Sequence, residues 1–506
     1  MSVCPTLVLV RPLVLAESHS NGCSAELPPM PPTFADYSDC IVIPLTNQQK
    51  TVSHLTVDLA FHYPNAADPG VLVAALSEVL VSFPTLCSRL VRRRRKYGVS
   101  EGDDDDELML CVPKLQYPVS EWAHVPFSHQ QSQVQPPKQD GIAPDSVFDI
   151  ATDGIPSVII SLDSSSSSTR IDKSVFGGPL TRIKVTTNSS ESQMIALSIN
   201  HALVDAKSIS LLMSAWSKQY HRYRHDGCVG AGARVSFDHP IFQQHRTRHG
   251  VKSSSTSSIP EDWKKLLPKE EDGTNPFDGN ATSTSSNSTC TVYYRSPEQI
   301  VELKQQFHEF QKDEMQLGTP NPPYLSSNDA LCGEVCTQID ATSLLLCMDW
   351  RPVLQRTDFF GYGVSFLYLS YPTAMHAPTA CRTVLGWKDA HGNLYNGIAR
   401  DPNFVFWKME NEWRQGKTEL IWNSWVDFFI IRDKGYDGND NEVSAKMESH
   451  PDDIMMSQQM CQMRIDVAAT SGLSYCIVFP QPNGVRVYFF GPNKHGHDLC
   501  SSNLKV

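Results

Sequence analysis

Apolar and polar residues alternate through His54 to His62 (HLTVDLAFH), the pattern of a strand with one buried face. Asp68 and Pro69 then open a helix, an N-cap aspartate followed by proline at the first helical position. Leu72, Leu76, Val79, Leu80 and Phe83 line one face of that helix, and Pro84 stops it. SRLVRRRR and the later ELMLCV read as partner strands with a charged insertion between them. FGGPLTRIKVT and MIALSIN read as consecutive strands across the polar turn NSSES. The second runs straight into HALVDA and a helix with Ile209, Leu212, Met213, Trp216 and Tyr220 at helical spacing, so one stripe of it is buried.

Periodicity then stops. Residues 224–289 are rich in Ser, Thr and Asn and read as a crossover between a domain at 1–223 and another at 290–506, with one short helix expected at Glu261 to Leu267. Pattern resumes with strand CTVYY and a capping box, Ser296-Pro297 with Gln299, whose helix turns Ile300, Leu303, Phe307 and Phe310 inward. A second helix is expected after SSND (Ser326 to Asp329), then strands TSLLLCMDW, FFGYGVSFLYL, IWNSWVDFFII, YCIVFP and VRVYFF. Strands and helices alternate without the rhythm of a doubly wound sheet. The expected class is α/β in the α+β sense, with mixed sheets in layers.

Composition narrows the partners. The net charge of −12 argues against nucleic acid or an anionic membrane surface. The one basic run, Arg92 to Lys96, is answered by Asp103 to Asp106, which fits two solvated arms of a hairpin. Fourteen cysteines without a CxxC pair read as free thiols in a reducing compartment, with no metal site expected. Arg11 and Pro12 break the apolar opening, and no run reaches membrane-spanning length, so a cytoplasmic protein is expected; it is read as a monomer.

The candidate chemistry lies in HxxxD. A chain with 17 histidines should show this spacing about once by chance; it occurs here twice. His54 and Asp58 sit inside the alternating strand, where the spacing only puts both on one polar face. His201 and Asp205 instead stand where a strand ends and a helix begins, at a sheet rim where ligand sites gather. A general base needs an imidazole neutral near pH 7 with its second nitrogen occupied. An N-cap aspartate beside a satisfied core histidine explains the local pattern equally well.

The wider chain resembles the BAHD acyl-CoA-dependent acyltransferases, of the chloramphenicol-acetyltransferase-like superfamily. The likeness runs in the family's order through PLTNQQ, LVAALSEVLVSFPTLCSRL, GGPLTRIKVT with SINHALVDA, SSNDALCGEV, MDWRPVL, FFGYGV and NSW. It implies two similar domains with an active channel at their interface and acyl-CoA as co-substrate, with no bound cofactor. His201 then takes a proton from the hydroxyl or amine of a small-molecule acceptor. Asp205 gives structural support by pairing with Arg351, and Asn423 and Trp425 are candidate donors to the oxyanion, although core packing also explains Trp425. Asp433 and Gly435 match the supporting loop that is D-F-G-W-G in the family and DKGYDG here. Ala206 replaces a glycine, and Tyr362 replaces the asparagine of Y-F-G-N, so a wall of the CoA tunnel is expected to differ. These departures mark a divergent member.

Two other readings stand beside this one. A condensation domain wants a second histidine where Asn200 stands, and carrier domains besides. A catalytically inactive relative would serve as a small-molecule binding or regulatory protein.

Overall fold

The computed structural model of the chain describes residues 6–13, 40–45, 47–53, 55–63, 65–93, 107–115, 122–132, 177–188, 192–226, 288–315, 324–349, 351, 359–382, 419–426, 459–464, 474–481 and 484–492. They fall into two compact units. Unit 1 holds Met1–Phe242, Phe360–Tyr362 and Asp433–Ile465; unit 2 holds Gln243–Phe359, Gly363–Arg432 and Asp466–Val506. Unlike the continuous halves read from composition, both units are interrupted in sequence.

Unit 1 is built on β1 (Thr6–Val10), β2 (Cys40–Pro44), α1 (Asn47–Val52), β3 (Thr56–Tyr63), α2 (Pro69–Ser82), β4 (Arg89–Arg93), β5 (Glu107–Pro113), β6 (Val125–Ser132), β7 (Thr181–Asn188), β8 (Gln193–Asn200) and α3 (Ala206–Asp226). Its main sheet has the order β1-β6-β7-β8-β3-β13, where β13 is Gln459–Arg464. The β6–β7 pair is parallel and the others antiparallel. β2, β5 and β4 form a separate three-stranded sheet, and the expected β4–β5 pairing is present with Arg93 opposite Glu107. Helix α2 starts where Asp68 was expected to cap it: Oδ1 accepts from the backbone N–H of Gly70 at 2.7 Å and of Val71 at 3.2 Å. The α3 stripe is buried as expected, and the Trp216 indole N–H donates to Leu72 O in α2 at 2.9 Å.

One expectation changes here. Every β3 position from Val57 to Phe61 is buried, Asp58 included, so the strand is shielded on both faces and not half-exposed. It is an interior strand, with β8 along one edge and β13 along the other. The alternation in its sequence separates a buried apolar face of Val57, Leu59, Phe61 and Tyr63 from one on which Asp58 and Ala60 are buried between exposed Thr56 and half-buried His62. His54 lies outside the described residues.

Unit 2 is built on β9 (Ser288–Arg295), α4 (Pro297–Met315), α5 (Ser327–Ile339), β10 (Ser343–Asp349), β11 (Val364–Ser370), β12 (Leu420–Ser424), β14 (Ser474–Gln481) and β15 (Gly484–Pro492), in a sheet of order β11-β10-β12-β14-β15-β9. The β10–β12 and β12–β14 pairs are parallel in an otherwise antiparallel ladder. Its core joins Ile300, Leu303 and Phe307 of α4 and Leu331 and Val335 of α5 to Leu344, Trp422, Val478 and Val487 of the sheet. The expected capping box opens α4, with Ser296 N–H donating to Gln299 Oε1 at 2.9 Å and Gln299 N–H to Ser296 Oγ at 3.3 Å. Helix α5 begins within SSND and not after it, because Ser326 and Asp329 form a second capping box. β11 likewise begins only at Val364, and FFGYG precedes it as a loop. Cys87, Cys111, Cys332, Cys336, Cys381 and Cys476 are buried free thiols. No helix among these residues is long and apolar enough to cross a membrane.

Candidate active site

The sequence around His201 folds into a turn because buried side-chain amides hold its backbone. Asn200, the last residue of β8, accepts at Oδ1 from the Ala202 N–H at 3.0 Å and donates from Nδ2 to Ser53 O at 2.6 Å. The N–H of Leu203 closes back on Asn200 O at 3.0 Å. Gln49 of α1 donates to Ala202 O at 2.9 Å, and the His201 N–H donates to Leu55 O at 2.9 Å. Gln49 and Asn200 were missed as site residues. The signal was present, since both are amides within the family-like segments PLTNQQ and SINHALVDA.

The imidazole is oriented by the same turn. Its Nδ1 lies 2.9 Å from Val204 O; a carbonyl can only accept, so Nδ1 carries the proton and Nε2 presents a lone pair. Burial pushes the pKa of His201 below its ordinary 6.5, opposed by the Val204 carbonyl and the charge of Asp205. The ring is therefore neutral at pH 7, half-buried, with the ring of Tyr362 at 5.5 Å in an edge-on arrangement.

Asp205 is buried and caps α3, its Oδ1 accepting from the Ser208 N–H at 2.9 Å. Arg351 is also buried. Its Nη1 lies 2.8 Å from Asp349 Oδ1, its Nε donates to Phe359 O at 2.7 Å, and its guanidinium stands over the Phe359 ring at 5.4 Å. Asn423 and Trp425 sit at the end of β12. The Asn423 amide donates to the Tyr475 hydroxyl at 3.0 Å, and burial raises the pKa of that phenol above its ordinary 10. Trp425 packs edge-on against Phe479 at 4.8 Å, as the core-packing explanation of it requires. His201, Asp205 and Tyr362 thus belong to unit 1, and Arg351, Asn423 and Trp425 to unit 2. Asp433 and Gly435 lie outside the described residues. Among those residues no cluster of three or more His, Cys, Asp or Glu side chains is placed to hold a metal ion.

No protein-family model matches the chain, and no curated protein matches it in sequence. Solved structures do. Vinorine synthase matches over 98% of this chain and 96% of its own, with a TM-score of 0.51 and 12% identity. TRI101 of F. graminearum, complexed with coenzyme A and deoxynivalenol, matches over 92% and 98%, with a TM-score of 0.53 and 12% identity. The chain has the BAHD-type, chloramphenicol-acetyltransferase-like fold. It is a divergent example of that fold, given how little sequence it shares with either structure. The condensation domain from the monacolin K polyketide synthase MokA also matches, over 91% of this chain and 96% of its own, at a TM-score of 0.52 and 11% identity.

Proposed function

We propose that the chain is an acyl-CoA-dependent O- or N-acyltransferase acting on a small-molecule acceptor, with His201 as general base. The observation that carries this reading is the Nδ1 contact to Val204 O, which leaves a neutral imidazole with its Nε2 lone pair available. Nε2 takes the proton of the acceptor hydroxyl or amine, whose oxygen or nitrogen attacks the thioester carbonyl. The tetrahedral intermediate expels CoA as thiolate, and the imidazolium returns the proton to that sulfur. Base catalysis of this kind contributes ~10²–10⁴-fold, with the pairing of two substrates adding more.

Asn423 and Trp425 are the proposed donors to the oxyanion, and Asp205 and Arg351 the proposed supports of the His201 turn. Asp433 and Gly435 are proposed to brace the site as the family loop does. Acyl-CoA is the proposed co-substrate, and the protein is proposed to be a cytoplasmic monomer. A neighbour of the same fold complexed with coenzyme A and deoxynivalenol supports this assignment. Against the condensation reading stands Asn200, which is buried and already engaged with Ser53 and Ala202.

The test is release of free CoA thiol from a series of acyl-CoA donors, measured across a panel of alcohols and amines. Turnover that depends on an acceptor and disappears in His201→Ala is expected. Absence of turnover with every acceptor, together with no binding of acyl-CoA, would instead establish an inactive binding protein.

A further inference from the structure

Three residues ahead of β11, Phe360 to Tyr362, belong to unit 1, although the chain on either side of them belongs to unit 2. This short tongue is held firmly at its tip. Ser208, in the first turn of α3, donates through Oγ to Gly361 O at 2.7 Å and accepts from the Gly361 N–H at 2.9 Å. Gly361 has φ 151°, a conformation that residues with a Cβ avoid, so the tip needs glycine. Phe360 packs its ring 4.5 Å from that of Phe83.

The tongue is held equally well at its base. Arg351 donates to Phe359 O, and its guanidinium fills the space beside Gly363, where an added Cβ would stand 2.7 Å from Cζ. What the tongue carries between these anchors is Tyr362, with its ring centroid 5.5 Å from that of His201 and the planes at 66°. The matching position in the resembled family pattern is asparagine, a much smaller side chain.

We propose that Tyr362, which the resemblance assigns to the CoA tunnel, is instead the acceptor-selecting wall beside His201, and that Ser208 is a positioning residue acting on it through Gly361. The inference rests on His201 being the base. A ring at this distance limits the bulk around the atom that surrenders its proton. It also offers an aromatic surface against which a flat unsaturated group packs edge-on or offset, at about 4.5–7 Å between centroids. The acceptor class is therefore an unhindered hydroxyl or amine on a flat, unsaturated body. Acceptors with a quaternary or caged carbon next to the nucleophile are refused.

Two α-bromoketones of the same reactivity type but different shape test the wall without knowledge of the substrate: flat phenacyl bromide and caged 1-adamantyl bromomethyl ketone. Alkylation of His201 in the full chain is followed by peptide mass spectrometry, with rates normalised to free imidazole. In the wild type the flat reagent is expected to react at least about tenfold faster than the caged one, the size of a steric selection in a shaped pocket. That ratio is expected to collapse in Tyr362→Ala and Tyr362→Asn, to survive in Tyr362→Phe, and to fall part-way in Ser208→Ala. Equal rates in the wild type, or an unchanged ratio in whichever of the alanine and asparagine variants folds, overturn the wall. Failure of both reagents to reach His201 while other histidines react overturns the base reading and the wall together; CoA release by the wild type reports on the base reading alone.

Discussion

His201 donates through Nδ1 to the carbonyl oxygen of Val204, three residues along the same turn, at 2.9 Å. The contact fixes the tautomer, and burial holds the pKa below 6.5. Both follow from a strand that ends against amide clamps, so that the ring is presented from rigid backbone.

A pH profile follows with a definite sign. The acid limb of kcat/KM is expected below pH 6.5, where the imidazole gains its proton, and His201→Ala is expected to lose about 10²–10⁴-fold in turnover. Because the folded pKa is depressed, the unfolded chain binds the proton first on acidification. The contribution to stability is thus fully present above 6.5 and is lost as pH falls from 6.5 through the lowered folded value. Urea unfolding of wild type and His201→Ala across that window checks it: the difference between them is expected to shift toward the variant at low pH.

Asp205 can be tested for two roles separately. Asparagine caps a helix about as well as aspartate, whereas alanine costs about 1 kcal/mol. If the carboxylate only accepts from Ser208, Asp205→Asn melts like the wild type. The proposed pairing with Arg351 predicts instead a loss of about 1.5–3 kcal/mol in Asp205→Asn, the worth of a hydrogen bond to a charged group. A double-mutant cycle with Arg351→Gln should recover most of that loss as coupling.

Gly363→Ala is expected to destabilise unit 2 by about 1–3 kcal/mol, the usual cost of forcing a methyl group into occupied core. The guanidinium it would strike is buried and held by Asp349 and Phe359, so it has little freedom to withdraw. Chemical denaturation reads the loss, and the variant is also expected to slow acyl transfer because the tongue shares that anchor.

Asn423→Ala is expected to reduce kcat by about 10²–10³-fold with KM for acyl-CoA little changed, as removal of an oxyanion donor does. Tyr475→Phe frees the Asn423 amide from its hydroxyl partner and should give a smaller fall in kcat. A rise in KM alone, with kcat unchanged, would for either variant assign the pair to substrate contact.

Much of the scaffold was legible because its signals are local. Asp68, Ser296 and the α2, α3 and α4 stripes act within a few residues of themselves, and each element stands where its pattern placed it. The start of α5 was shifted because the capping pair Ser326 and Asp329 straddles the boundary itself. The burial of Asp58 was not legible, since nothing in HLTVDLAFH states that a strand from the other end of the chain will lie alongside. At the site, HxxxD names the proposed base and the cap but says nothing of what faces the ring. The proximity of Tyr362 is set by Ser208 and Gly361, whose contact joins residues far apart in sequence.

The pairing of β13 with β3 also constrains how this molecule can be made. On the ribosome, β3 waits with one edge bare until Gln459–Arg464 has emerged, an interval in which an unpaired strand invites association with neighbours. A gene cut at the low-complexity crossover would yield an amino-terminal fragment with that edge permanently open, and co-production of the second fragment should rescue its solubility by supplying the missing ribbon.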